Sequence, residues 1–220
     1  MREKLIMAEQ SIVFVVDDDP SIRASLENLL SSEGHVTQTF DSPRAFLAAD
    51  RPNLPGCLVL DVRLRGSSGL EFQRELSRRE LRIPIIFITG HGDVPMSVAA
   101  MKAGAIEFLL KPYRDQDLLD AVHKGIELDR HLRAQAAEVA ALRARFAAMT
   151  PRERELMPLV ASGMLNKQIA AKLQLSEVTV KAHRAQIMQK LQADSFAELV
   201  RVVDRLAADT PTTRSTDTFV

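Results

Sequence analysis

The stretch VFVVDDDPSIR, Val13 to Arg23, joins an apolar, β-branched run to three consecutive aspartates, and a Pro-Ser pair then opens a helical pattern. A run of this composition reads as a buried strand, so the aspartates stand at its carboxyl tip. That much negative charge in one place needs a positive partner, because convergent carboxylates otherwise force one of their number to take up a proton.

Outward from this stretch the same rhythm repeats. Short apolar runs IVFVV (Ile12 to Val16), HVTQTF (His35 to Phe40), CLVL (Cys57 to Leu60), IIFIT (Ile85 to Thr89) and EFLL (Glu107 to Leu110) alternate with segments such as Ser21 to Ser32 and Gly69 to Arg79, whose apolar residues recur at helical spacing. Strands alternating with helices predict a (βα)5 unit around a mostly parallel, doubly wound sheet. Three of the runs, IVFVV, CLVL and IIFIT, are apolar but for the final Thr89, as strands covered on both faces should be.

The texture changes at Ile126. From there to Met149 the chain is a mixture rich in Ala, Arg, Glu and Leu, without Pro or Gly, and Leu128, Leu132, Gln135, Val139, Leu142, Phe146 and Met149 step alternately by four and three. This is heptad spacing on one long helix, and it serves equally a dimeric coiled coil or a stripe packed back on a domain. In TPRERELM a new helix is announced, with Thr150 as N-cap, Pro151 in the first turn and Glu153 closing a capping box. Short helices follow to about Ala208, and the last residues, DTPTTRSTDTFV, have the composition of a disordered tail. The predicted organisation is therefore a domain over 1–123, a helical linker over 124–149, a small all-α domain over 150–208 and a tail over 209–220.

Composition narrows the function. With 29 Lys+Arg against 29 Asp+Glu the chain carries no net charge, which excludes a bulk polybasic or polyacidic binder. From Thr150 to Ala208 nine Lys/Arg face six Asp/Glu, an excess small enough that any nucleic-acid contact must be focused on one element. Cys57, the single cysteine, lies in an apolar run and predicts an inert buried thiol. No run reaches the ~20 apolar residues of a membrane span and the N-terminus lacks the pattern of a secretory signal, so a cytoplasmic protein without a membrane partner is expected.

In a doubly wound sheet, ligands bind outside the carboxyl ends of the strands. Those ends present Asp17, Asp18 and Asp19 after the first strand, Asp61 after the third, Thr89 after the fourth and Lys111 after the fifth. A hard divalent cation answers such a carboxylate cluster, and Mg²⁺ (or Mn²⁺) commonly takes one or two carboxylates together with phosphate oxygens and water. A carboxylate nucleophile, a metal, a hydroxyl and an ammonium are the parts needed to form an aspartyl phosphate. Asp19 suits a different task, starting the helix that follows, where the dipole favours negative charge.

The motifs VVDDD, LVLDVRLRGSSG, IIFITGHGDV and AMKAGAIEFLLKPY, in this order at strand ends, resemble the receiver domain of two-component response regulators across roughly Ser11 to His123. The resemblance implies a flavodoxin-like fold with Asp61 as phosphoacceptor. It implies metal binding by Asp17, Asp18, Asp61 and the backbone carbonyl of Arg63, phosphoryl contacts from Thr89 and Lys111, a cis bond before Pro112, and Phe108 as the aromatic switch residue. Arg63 and His91, each two residues past a site residue, are candidates for setting the lifetime of the phosphate.

A second motif follows in GMLNKQIAAKLQLSEVTVKAHRAQIMQKLQA. Asn166 to Leu173 forms a short helix, QLS turns the chain, and Ser176 caps a helix to Leu191 with Val178, Val180, Ile187 and Leu191 able to face a core. Two helices joined by a tight turn, the second basic and polar, suit the DNA major groove. With MTPRERE and SFAELV this segment resembles the LuxR-type helix-turn-helix, and the two halves together resemble the NarL/FixJ class of response regulators. ITGHGDVPMSVAAMKAGA is similar to the FixJ branch, and within it to StyR-like regulators of aromatic-compound catabolism. By this resemblance Lys181 and Ala182 face base edges, Arg184 and Lys190 lie near phosphates, and Lys167 and Thr179 touch the DNA backbone. Where some relatives are basic this chain has Ala185, which leaves fewer base contacts.

The predicted function is a phosphorylation-dependent transcriptional activator. It takes phosphoryl from a sensor histidine kinase, dimerises when phosphorylated through the surface near Val94 to Lys111, and meets promoter DNA and RNA polymerase. Its only enzymatic chemistry would be directed at itself, in phosphoryl transfer and autodephosphorylation at Asp61. A phosphatase with an aspartate nucleophile is the alternative, but such hydrolases place an acid two residues after the nucleophile, where this chain has Arg63. A purely structural protein would leave the carboxylates and the lysine at the strand ends without a reason.

Overall fold

The structure, a computed structural model, describes residues 10–90 and 92–208. Its strands in chain order are β1 (Ile12–Val16), β2 (Val36–Phe40), β3 (Gly56–Asp61), β4 (Arg63–Leu64), β5 (Ser67–Ser68), β6 (Ile85–Thr89) and β7 (Glu107–Leu110). The helices are α1 (Pro20–Ser32), α2 (Pro43–Ala48), α3 (Gly69–Arg78), α4 (Val94–Lys102), α5 (Asp115–Ala147), α6 (Pro151–Ala161), α7 (Asn166–Leu173), α8 (Glu177–Leu191) and α9 (Phe196–Ala208). The chain divides into two compact units, one ending at Ala134 and the other beginning at Gln135, and α5 contributes to both.

The first unit is built on a five-stranded sheet of order β2-β1-β3-β6-β7 in which every pairing is parallel. Burial separates its inner strands from its edges. The most apolar runs, IVFVV, CLVL and IIFIT with its terminal Thr89, lie in the central strands β1, β3 and β6, buried at every position, while the mixed runs β2 and β7 take the edges. Alternate side chains supply opposite layers. Ile12, Phe14, Val16, Leu58, Leu60 and Phe87 pack with Phe46, Phe72 and Leu76 from α2 and α3. Val13, Val15, Val59, Ile86 and Ile88 pack with Leu26 and Leu30 of α1 and Leu118, Val122 and Ile126 of α5. Because β1 has β2 on one side and β3 on the other, the strand order reverses at β1, and the crevice opens at the carboxyl ends of β1 and β3.

A buried carboxylate ties α5 to the opposite end of the sheet. Asp129, only 4% exposed, accepts the N–H of Gly56 at 2.9 Å and the Nε–H of Arg133 at 2.6 Å, and Arg133 also donates to Asn53. Gly56 is required there, since a Cβ would lie 2.3 Å from the Ile12 carbonyl oxygen. Cys57 is buried, and burial pushes its thiol well above the usual range, as expected of an inert side chain.

In the second unit, Leu142 and Met149 of the α5–α6 segment are buried with Leu156, Val160, Ile169, Val180, Ile187, Leu191 and Leu199, and Phe146 packs against them. The lower part of the heptad stripe is thus satisfied within this unit, while Leu128 and Leu132 stay 43% and 36% exposed. Thr150 and Glu153 form the expected capping box, and Ser176 caps α8 as the sequence predicts. Gln174 and Gln192, with φ of 52° and 54°, turn the chain after α7 and α8 in the left-handed conformation. The tail and His91 lie outside the described residues. Among the described residues no helix is long and apolar enough to cross a membrane.

Candidate functional site

The carboxyl ends of the strands bring Asp17, Asp61, Thr89 and Lys111 to one crevice. Asp17 is 1% exposed and is oriented by its own loop, with the N–H of Asp19 donating to its Oδ1 at 2.8 Å. Lys111 Nζ donates to Asp17 Oδ2 and to Asp61 Oδ2, both at 2.9 Å, so one ammonium bridges the first and third strands. The other Asp61 oxygen accepts the N–H of Arg63 at 2.8 Å, which fixes the rotation of this carboxylate. Burial is the main cause that raises the Asp17 carboxyl above its ordinary value; the Asp19 N–H and Lys111 oppose it, and the charge of Asp61 adds to it. Burial also works against the Lys111 charge, but its bonds to Asp61 and Asp17 outweigh this and hold its pKa above the usual value.

Asp18 and Asp19 play separate parts. Asp18 points to the other rim, where Arg65 Nε lies 2.9 Å from its Oδ2. Asp19 caps α1 by accepting the N–H of Ser21 at 2.8 Å, and that bond above all lowers its carboxyl below the usual range. Arg65 sits on the tight β4–β5 hairpin that follows the Asp61 strand. Nothing in the sequence marks it, because spacing does not tell which loop folds over which strand end. Gly69, also not singled out by sequence, lets the hairpin return: its N–H donates to the Val62 carbonyl at 2.8 Å, and a Cβ would lie 2.4 Å from the Asp61 carbonyl oxygen.

Thr89, 1% exposed, ends β6, and its carbonyl accepts the Lys111 N–H at 2.8 Å. The Lys111–Pro112 bond is cis. Phe108 is half-buried, with its ring 6.2 Å from that of Phe87. Gly92 packs so closely that a Cβ would come within 2.9 Å of Phe108 Cε1, 2.6 Å of Leu110 Cδ2 and 3.1 Å of Thr89 Cγ2. Thr89 and the aromatic ring are therefore joined through one tight loop.

The donor set fits a hard cation. Buried Asp17 and Asp61 share a single ammonium, and the groups these two side chains offer a metal are carboxylate oxygens, the ligands a hard cation takes. Among the described residues no three acidic, histidine or cysteine side chains are gathered into a ready-made metal cluster.

In the second unit α7 and α8 form a helix-turn-helix. Lys167, Lys181 and Ala182 are exposed, and neither lysine has an internal partner among the described residues. Thr179 is half-buried, and its hydroxyl is 2.7 Å from that of Ser176. Arg184 is half-buried, donates to Asn166 Oδ1 at 3.4 Å and stands 6.0 Å over the Phe196 ring. Lys190 turns inward: its Nζ is 2.7 Å from Glu153 Oε2 and 3.4 Å from the Ala148 carbonyl oxygen.

A model of the response regulator receiver domain matches residues 13–123, and a model of bacterial regulatory proteins of the luxR family matches residues 147–203. Nodulation protein W of Bradyrhizobium diazoefficiens is 51% identical over 94% of this chain and 91% of that protein. Response regulator protein TmoT of Ectopseudomonas mendocina is 43% identical over 90% of each chain. A low-resolution structure of the response regulator StyR superimposes with a TM-score of 0.81 at 50% identity, covering 89% of this chain and 98% of that one. With both models matched in this order and relatives aligned over nearly their whole length, the chain belongs to the response regulators of two-component systems that join a receiver to a luxR-type DNA-binding domain.

Proposed function

We propose that the chain works in the cytoplasm as a transcriptional activator switched by phosphorylation of Asp61, with a sensor histidine kinase as donor. The observation that carries this reading is the single Lys111 ammonium held 2.9 Å from the carboxylates of both Asp17 and Asp61. In the transfer step Asp61 Oδ2 attacks phosphorus, the P–N bond to the donor histidine breaks, and its electron pair stays on the imidazole. The Arg63 N–H holds the other carboxylate oxygen, so the attacking oxygen is presented in one orientation. Lys111 then moves its charge from the lost carboxylate oxygen to a phosphoryl oxygen, and the Thr89 hydroxyl donates to another.

Asp17, Asp18, Asp61 and the Arg63 carbonyl would hold Mg²⁺ (or Mn²⁺). When bound, the ion neutralises the phosphoryl oxygens as charge builds up on them. For Asp18 to join, its exposed pair with Arg65 must open, and pairs of this kind are worth only about 0–1 kcal/mol. Thr89 drawn toward the phosphate changes the space next to Gly92 and Phe108, and so reaches the surface of α4 and β7. There Val94, Val98, Met101 and Leu110 are exposed apolar side chains on which two phosphorylated copies pair. The paired molecules place two α8 helices on promoter half-sites and act on RNA polymerase.

On the DNA, Lys181 and Ala182 face base edges, while Lys167, Thr179 and Arg184 serve the backbone. Lys190 is left out of this set, because its ammonium already satisfies the buried Glu153 carboxylate. The reading is tested by gel shift on promoter DNA. Acetyl phosphate with Mg²⁺ raises the affinity of the wild type and leaves Asp61→Asn unchanged. An equal response of the two proteins would overturn it.

A further inference from the structure

A helix on the surface of a soluble domain normally collects its apolar residues on the buried side and polar ones outside. α8 does not. Val180, Ile187 and Leu191 are buried in the core of the second unit, yet Val178 is 79% exposed and Ala182 and Ala185 are exposed as well. Val178 is the most exposed large apolar side chain among the described residues. Spaced at i, i+4 and i+7, these three fall on one stripe of the helix, starting in its first turn. A β-branched residue with its methyl groups in water, on a helix that has no packing need for it there, calls for a partner outside the domain.

The surroundings say what kind. Exposed Lys181 lies beside the stripe and exposed Lys167 is carried on the preceding helix, neither with an internal partner among the described residues. An apolar stripe bordered by free cations matches a polyanion that presents apolar groups of its own. Duplex DNA does this in the major groove, where the only apolar element of the base-edge code is the C5-methyl of thymine. The stripe has no hydrogen-bonding side chain except at its edge, so it cannot read bases by donor and acceptor pattern.

We propose that Val178, Ala182 and Ala185 form a methyl-reading stripe that selects thymines at fixed positions of each half-site. This deepens the DNA-binding reading of α8 and rests on it. Specificity then comes largely from apolar contact beside Lys181, with Lys167 on the backbone supplying affinity that is blind to sequence.

The test uses the full chain treated with acetyl phosphate and Mg²⁺. A duplex is selected from a random-sequence library, and each of its thymines is replaced in turn by uracil, which lacks only the C5-methyl. Binding falls about fourfold per contacted methyl, the transfer free energy of one buried carbon expressed as an affinity ratio. At one position per half-site, Val178→Ser and Val178→Asn, which remove the branched methyl groups, lose the discrimination between thymine and uracil; circular dichroism confirms that these surface variants fold. A selected duplex in which no position distinguishes thymine from uracil would overturn the stripe while leaving DNA binding intact. The same holds for penalties that Val178 substitutions do not change at any position. If no duplex is enriched, the DNA-binding reading itself fails and the stripe falls with it.

Discussion

Arg65 and His35 carry two expectations that belong to single residues. Arg65 is the counter-ion of Asp18, but its side chain is 87% exposed and the pair is weak. Arg65→Ala is expected to tighten Mg²⁺ binding up to about fivefold at low salt, the equivalent of a surface pair worth at most about 1 kcal/mol. Calorimetric titration of both proteins checks this, and equal or weaker binding by the variant would contradict it. His35 lies against His123 with ring centroids 5.6 Å apart, its Nδ1 is 2.8 Å from Ser11 Oγ, and its Nε2 is buried without a partner. Burial first, then the charges of His123 and Arg130, lower its pKa, with Glu33 opposing. The unfolded chain therefore takes up this proton before the folded one does. Stability is complete above the ordinary histidine value of about 6.5 and is lost as pH falls below it, until the folded ring titrates as well. His35→Gln should flatten the fall in urea midpoint between neutral pH and about pH 5.5, and an unchanged slope would dismiss the effect. Asp17, Asp61, Thr89 and Lys111 were legible in the sequence because each ends a strand. Arg65 and the His35–His123 pair were not, because both depend on which loops and helices meet across the fold.

At the scale of elements, local signals carried the helix starts. Thr150 with Glu153, and Ser176 before α8, cap as their spacing predicts. What the spacing does not contain is the third partner, Lys190, brought to Glu153 by tertiary packing. Burial works against ionisation of Glu153, but Lys190 and the Thr150 N–H and hydroxyl outweigh it and hold this carboxyl below its usual value. Glu153→Ala removes both the cap and the pair and is expected to cost the second unit about 1–3 kcal/mol, toward the lower end because the Lys190 side chain can regain water. Amide exchange across α6 to α9 in the full chain reads the loss, and unchanged protection would show the pair to be idle. Asp129→Ala should cost a similar ~1–3 kcal/mol in the first unit by leaving the Gly56 N–H without its acceptor. The heptad stripe of α5 shows where local signals stop. Its period is the same whether the stripe pairs with another helix or packs at home, and burial of Leu142 and Met149 decides the matter for its lower part only.

Across the whole molecule the chain carries no net charge, yet Asp17, Asp61 and Lys111 cluster in one unit while α8 of the other has few unpaired cations. In the function proposed above, the first would take the phosphoryl group and the second would meet the DNA. DNA affinity should therefore fall with salt, and Lys167→Ala should lower the slope of log affinity against log salt by roughly one, while Lys181→Ala should relax sequence preference. An unchanged slope for Lys167→Ala together with an unchanged preference for Lys181→Ala would move the interface away from α7 and α8. Which strands lie inside the sheet was readable from composition, because runs apolar along nearly their whole length suit strands covered on both faces; their order was not. The division of the chain between Ala134 and Gln135 has no local mark, since α5 continues unbroken from Asp115 to Ala147 with no turn residue there.

The central claim is that Asp61 accepts the phosphoryl group that switches the protein. Intact mass after incubation with acetyl phosphate and Mg²⁺, for the wild type beside Asp61→Asn and Lys111→Ala, tests it most directly. One added phosphoryl group on the wild type, none on Asp61→Asn and a reduced fraction on Lys111→Ala is the predicted result. An adduct of equal yield on Asp61→Asn would place the acceptor elsewhere and contradict the account.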